Sequence, residues 1–211
     1  MNSEIIKLNN LTKIYSSKNN KICILKNIDF TILKGDIISI SGPSGSGKST
    51  LLNILGLLDY DYSGEYSFLG KITKKLNFDQ KNILRNQSIG FVHQFFHLIP
   101  ELSVLENVSL PSLICGSNIK ESEVISKDIL VNFGLEHRIY SKPIDLSGGE
   151  QQRVSIARAL INNPEIIFAD EMTGNLDEKT SNIVFDFFLD KIKKNNKTLI
   201  YVTHNKEYSK K

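Results

Sequence analysis

The order of apolar runs predicts a three-layer α/β sandwich on a mainly parallel sheet, with an N-terminal antiparallel β-subdomain and one helical insertion. Three observations predict it. β-Branched and aromatic residues cluster from Ile5 to Ile32 around a polar break; short apolar runs recur at IISIS, SIGFVHQ, PEIIFAD and KTLIYVTH; and helical periodicity fills most of the sequence between those runs. With 211 residues, 40% hydrophobic and 9% aromatic, the chain can bury a substantial core in one domain.

Ile5, Ile6 and Leu8, followed by Ile22, Ile24, Leu25, Ile28, Phe30 and Ile32, read as strands joined by a hairpin loop at SSKNNK. GDIISISG is a short apolar run ending in glycine, which suits a strand buried on both faces; a glycine-rich turn and the helix STLLNILGLL come next. DYSG is a turn, EYSFLGK reads as an edge strand, and TKKLNFDQKN as a polar linker. SIGFVHQ is another short buried strand. Ser103 to Phe133 is helical in two stretches parted by a loop at Gly116. Ser147, Gly148 and Gly149 lead into the helix EQQRVSIARALINN, and PEIIFAD is a buried strand ending in acids. The helix TSNIVFDFFLDKIKK and the strand KTLIYVTH complete the rhythm of a parallel sheet.

A charged fraction of 23% and a net charge of +3 give no basic field of the kind that nucleic acid selects. The lysine clusters at Lys74 and Lys75, Lys191 to Lys194 and the C-terminus read as solvated faces or tails. Cys23 and Cys115 lie in no CxxC or metal-ligand spacing, so no disulfide framework or zinc site is expected, and both read as buried thiols. The opening MNSEIIKLNN lacks a basic start followed by an apolar core, and IISIS and LLNILGLL are too short to span a bilayer. The chain is therefore expected to be soluble by itself and to reach any membrane through another protein.

Gly42 to Ser49, GPSGSGKS, fits the phosphate-loop pattern G-x-x-x-x-G-K-[ST] and stands between a predicted strand and a predicted helix, as that pattern requires. The fold class is then that of a P-loop NTPase. Gly45 and Gly47 lack Cβ atoms, so the backbone is free to take positive φ and aim N–H groups at phosphate oxygens, helped by the helix N-terminus. Lys48 bridges β- and γ-phosphates in this chemistry, and the Ser49 hydroxyl ligates Mg²⁺. The loop by itself implies a nucleoside triphosphate; no NKxD-like base-reading segment supports a GTPase.

LSGGE, Leu146 to Glu150, running into QQRVSIARAL, resembles the signature motif of the ABC ATPase family. It is a serine and two glycines at a helix N-terminus, a second anion cradle in a chain that already has one. The resemblance implies that two subunits pack head to tail, with Ser147, Gly148 and Gly149 of one capping the γ-phosphate held by the other. It further implies ATP contacts from Gly42, Pro43, Ser44, Gly45, Ser46, Gly47, Lys48, Ser49 and Thr50, with Tyr15 in LTKIYSS stacking on adenine. IIFADE delivers two acids to the C-terminal edge of a parallel sheet, where α/β folds place ligands. By resemblance, Asp170 holds the Mg²⁺ shell with Ser49 and Gln94, and Glu171 polarises the attacking water with Gln94. His204 contacts the γ-phosphate, and GNLD, Gly174 to Asp177, crosses to the opposite subunit.

The resemblance covers essentially the whole chain and implies a single domain over 1–211, with 1–94 and 147–211 as the ATP-binding core lobe and 95–146 as a helical lobe. LRNQSIGFVHQFFHLIPELSVLENVSLPSLI and TGNLD are similar to the ATP-binding subunits of lipoprotein-releasing systems, the LolD type, within a group that also holds MacB-like exporters and FtsE-like cell-division ATPases. The similarity implies an ATP-hydrolysing homodimer with ATP and Mg²⁺ as cofactors, at the cytoplasmic side of a bacterial inner membrane beneath LolC/LolE-like integral membrane subunits. Phe95, Phe96, Leu98 and Ile99 read equally as a groove for a partner helix or as interior packing.

The sequence departs from the family pattern in three places. Met172 stands where the family has proline, which is expected to loosen the turn into GNLD, and His93 replaces an aromatic residue before Gln94. Relatives continue past the position of Lys211 with a further helix and strands, so the chain reads as a short member or a truncated one. A soluble ABC ATPase of DNA repair or translation would carry a long coiled-coil or zinc insertion, or two cassettes in one chain, and neither is present. A non-hydrolysing regulatory subunit is separated from the motor by measured ATPase activity.

Overall fold

The computed structural model describes residues 3–17, 20–205 and 207–210. β1 (Glu4–Ser17) and β2 (Asn20–Leu33) form a long antiparallel ribbon, and Lys18 and Asn19 of the expected hairpin loop lie outside the described residues. The ribbon's register slips between Leu8 and Lys13, where Asn10 takes φ 51° and Asn27 opposite takes φ 48°, a left-handed backbone that asparagine tolerates. β4 (Ser63–Phe68) pairs with the other side of β1, and β5 (Lys71–Ile72) pairs with β4, giving the order β2-β1-β4-β5. EYSFLGK is therefore an interior strand and not the edge strand expected from its sequence.

TKKLNFDQKN is not a linker either: Thr73–Lys75 form a 3-10 turn, and the stretch from Phe78 onward enters α2 (Phe78–Ser88). Asn77 accepts from the Gln80 amide at 2.9 Å while the Gln80 side chain accepts from the Asn77 amide at 3.0 Å. That reciprocal cap was legible as Asn-x-x-Gln, but the polar composition masked it.

β3 (Ile37–Ile40), β6 (Ile89–His93), β7 (Ile166–Asp170) and β8 (Thr198–Val202) make a wholly parallel sheet in the order β3-β8-β7-β6. β7 and β8 lie inside it and are almost wholly buried; β3 has one neighbour, and its four residues are only half-buried, contrary to the two-sided burial expected of IISIS. Alternation along each inner strand feeds two cores. Ile166, Phe168, Ile200 and Val202 face α1 (Lys48–Leu55) and the antiparallel sheet, whereas Ile167, Ala169, Leu199 and Tyr201 face α5 (Gly148–Leu160) and α6 (Glu178–Lys194). That period of two makes the three layers.

α3 (Val104–Ile114) and α4 (Ile119–Asn132) pack on α5, joined by buried hydroxyl pairs between Ser109 and Ser126 at 2.8 Å and between Ser122 and Ser112 at 3.0 Å. Cys23 and Cys115 are exposed, not buried: Cys23 is on the outer stretch of the ribbon, and Cys115 caps the C-terminus of α3 at the turn into Gly116. Among the described residues no helix is long and apolar enough to cross a membrane.

Phe168 is fully buried, with its ring centroid 5.4 Å from that of Phe91. Phe168→Ala is expected to lower stability by about 3–5 kcal/mol through lost transfer energy and a cavity that the sheet cannot close. Urea unfolding of nucleotide-free protein measures it, and a loss below ~1 kcal/mol would contradict the two-core arrangement.

Candidate functional site

The parallel register aligns four strand ends in one row: Ile40 opposite Val202, Val202 opposite Asp170, and Asp170 opposite His93. The segments that carry the sequence-predicted site start there, one or two residues beyond each strand. Gly42 follows β3, Gln94 follows β6, Glu171 follows β7 and His204 follows β8. Four segments distant in the sequence thus meet at the C-terminal edge of the sheet, the edge at which open α/β sheets bind ligands.

Gly45 and Gly47 take φ values of 77° and 92°, as a phosphate cradle needs. Gly47 is also the N-cap of α1, and a Cβ there would lie 2.8 Å from Ile24 Cγ2 and 3.2 Å from the Ile24 carbonyl oxygen. The ribbon thereby presses on the loop, and only glycine fits between them. Lys48 is buried to 8% exposure, its ammonium donating to the carbonyls of Gly42 at 3.0 Å and Pro43 at 2.9 Å.

Glu171 leaves β7 with φ 45°, an uncommon backbone for a residue bearing a side chain, and its amide still donates to the Val202 carbonyl at 3.1 Å. Its Oε1 lies 2.8 Å from His204 Nε2. The strained turn thus directs the carboxylate across β8 to the histidine. The turn is closed by the Gly174 amide on the Glu171 carbonyl at 2.8 Å, and Met172 is buried at 3% exposure. Met172, which stands in place of proline, packs into the core beneath this turn.

Asp170 Oδ1 is buried and has no hydrogen-bond partner. An orphaned carboxylate oxygen at this depth needs a cation or water, so the donor set of Ser49, Gln94 and Asp170, all oxygen-bearing, fits a hard divalent ion.

Gln94 Nε2 donates to Asn175 Oδ1 at 3.3 Å, and Asn175 Nδ2 returns to the Gln94 carbonyl at 3.0 Å. This reciprocal pair ties GNLD to the end of β6. Sequence reasoning singled out both segments without joining them, since nothing in either states the pairing. His93 stacks on Phe91 with centroids 5.0 Å apart and planes at 7°, and it meets His97 edge-on at 5.0 Å. Burial, reinforced by His97, lowers its pKa; the ring fills an aromatic slot, as the residue type that it replaces would.

Tyr15 is 47% exposed, its hydroxyl donating to Asp59 Oδ2 at 3.4 Å and the Lys13 ammonium 4.7 Å from the ring centroid. Lys13, buried to 2%, is in turn held by Asp59 and Asp61 at 2.9 and 3.3 Å. The ring is fixed and still presents surface, which suits a stacking platform. Of the apolar quartet, Leu98 packs on the core whereas Phe95 is 63% exposed, so the four are divided between interior packing and open surface.

Ser147, Gly148 and Gly149 sit apart from this row, at the start of α5. Ser147 is the N-cap, and the two glycines begin the helix in crowded surroundings: a Cβ on Gly148 would be 2.9 Å from Leu176, and one on Gly149 would be 2.8 Å from Thr180. One copy of the chain therefore holds two glycine-bearing helix N-termini, at α1 and at α5.

The ABC transporter family model matches residues 25–174. The lipoprotein-releasing system ATP-binding protein LolD of Legionella pneumophila (strain Paris) is 49% identical over 97% of this chain and 90% of its own length. The protein of the same name from Wigglesworthia glossinidia brevipalpis is 46% identical over 100% of this chain and 92% of its own length. Among solved structures, a dimeric ATP-binding cassette in a post-hydrolysis state, bound to ADP and Pi, superposes with TM-score 0.87 at 42% identity, covering 97% of this chain and 90% of that one.

Proposed function

The chain belongs to the ABC transporter family, and from that premise we propose that it is the ATP-hydrolysing motor subunit of a lipoprotein-releasing ABC transporter. The observation that carries the ATPase reading is the aligned row of strand ends, which gathers a phosphate loop, two adjacent acids, a glutamine and a histidine at one sheet edge. Near-full-length identity to proteins of the LolD name supports the lipoprotein assignment.

In this reading the amides from Gly45 to Thr50 and the Lys48 ammonium bind the phosphates, and Tyr15 stacks on the adenine. Ser49, Gln94 and Asp170 hold Mg²⁺, which when bound neutralises phosphate charge. Glu171 accepts a hydrogen bond from the attacking water and draws its proton away as the oxygen approaches phosphorus. His204 fixes the Glu171 carboxylate through their 2.8 Å contact and faces the γ-phosphate. The Gln94 and Asn175 pair couples the water-positioning glutamine to the segment that meets the second copy.

The working unit is a homodimer, in keeping with the dimeric cassette that it superposes on, and Ser147, Gly148 and Gly149 complete the partner copy's site. The dimer sits peripherally at the cytoplasmic side of the inner membrane, held by LolC/LolE-like integral subunits. Purification of the tagged chain from detergent-solubilised membranes tests the assignment. It is expected to bring down a membrane protein with few spans and a large periplasmic domain; recovery of a many-span importer subunit instead would overturn lipoprotein release.

A further inference from the structure

The start of α5 carries a carboxylate where a polyanion is expected to arrive. Glu150 Oε2 accepts from the Ser147 amide and from the Ser147 hydroxyl, both at 2.8 Å, and the Glu150 amide donates back to Ser147 Oγ at 3.3 Å. The proton of the Ser147 hydroxyl is thus committed to Glu150. The pKa of Glu150 is lowered to about 2, a net fall despite partial burial because the Ser147 bonds and Arg138 favour the anion, so the group is charged throughout the physiological range. An uncompensated anion there would repel an incoming γ-phosphate and keep the hydroxyl proton for itself.

The other oxygen, Oε1, accepts from Arg138 Nε at 3.0 Å and lies 3.4 Å from His137 Nε2. α3 supplies an internal control, since it begins with the same device. Glu106 Oε2 accepts from the Ser103 amide at 2.7 Å and from its hydroxyl at 2.6 Å, and the Glu106 amide returns to Ser103 Oγ at 3.3 Å. Among the described residues Glu106 has no arginine on its second oxygen; Lys142 acts on it only as a more distant charge. A capping box therefore forms here without an arginine, and Arg138 adds something that helix capping does not require.

We propose that Arg138 is a positioning residue for the contact between subunits: it neutralises Glu150, freeing the Ser147 hydroxyl and the α5 N-terminus to receive the γ-phosphate bound by the partner copy. This inference rests on the reading that the signature segment completes the opposite subunit's site. The guanidinium draws charge onto Oε1, which weakens the hold of Oε2 on the serine proton and cancels the like-charge repulsion across the interface.

The test is ATP-driven dimerisation in the Glu171→Gln background, followed by analytical ultracentrifugation with ATP and Mg²⁺. Arg138→Gln is expected to weaken dimerisation about tenfold or more, while ATP binding to the isolated subunit, read by fluorescent-nucleotide titration, stays unchanged. Adding Glu150→Gln, which removes the carboxylate charge but keeps its acceptor oxygen, is expected to restore most of that loss, and Arg138→Lys to retain part of the wild-type affinity. Undiminished dimerisation of the Arg138→Gln variant, or a loss that Glu150→Gln fails to relieve, overturns the role of Arg138. Failure of the Glu171→Gln parent to dimerise at all would overturn the underlying reading of the signature segment instead.

Discussion

Glu171→Gln is expected to abolish turnover while ATP still binds. The substitution keeps the side chain's size and an oxygen able to accept from His204 Nε2, now 2.8 Å from Oε1, so the strained turn at φ 45° and its amide bond to Val202 have no reason to move. What disappears is the negative charge that draws a proton from water. Loss of a positioned proton acceptor lowers rates by about 10²–10⁴-fold, and phosphate release from the purified dimer should fall by at least 100-fold. Nucleotide affinity should stay within about threefold of wild type, because the phosphates are held by the loop after β3 and not by this carboxylate. Turnover within tenfold of wild type would remove Glu171 from the proton-accepting role and leave His204 as the nearest candidate.

The parallel core was legible because each strand is a short apolar run, and the phosphate loop and the two acids could be placed on strand ends without any tertiary information. The antiparallel sheet was read less well. EYSFLGK has three exposed residues and looks like an edge, yet the two-residue strand β5 covers its outer side; so short a strand leaves no periodic signal. Burial of β3 was overestimated because isoleucine content reports apolarity, whereas the sheet order that puts β3 on an edge is set by β8, more than 150 residues later. Within the site, single residues were readable and couplings were not. The pairing of Gln94 with Asn175 and the charge pair of Arg138 with Glu150 depend on how β6, α5 and the turn after β7 pack together, and no spacing in the sequence encodes that.

Lys48→Ala is expected to strike at binding, the step that Glu171→Gln spares. The ammonium is nearly buried and bridges the carbonyls of Gly42 and Pro43. It therefore serves the loop in two ways: it neutralises those two oxygens and supplies charge to the phosphates. Its removal leaves both carbonyl dipoles aimed into a space that must accept a polyanion, and it deletes charge-assisted hydrogen bonds worth about 1.5–3 kcal/mol each. Two such bonds correspond to a loss of roughly 100-fold or more in ATP affinity, measurable by equilibrium titration with a fluorescent nucleotide. Lys48→Arg should not restore it, since the planar guanidinium cannot replace a compact ammonium in a loop that Gly47 already wedges against Ile24. Thermal unfolding without nucleotide should change little, because α1 is anchored by Leu51, Leu52, Ile54 and Leu55 in the core and not by the lysine. A Lys48→Ala variant that folds normally and binds ATP with near wild-type affinity would show that the loop amides alone carry the phosphates, and the row of strand ends would then have to be read as a site for a less charged ligand.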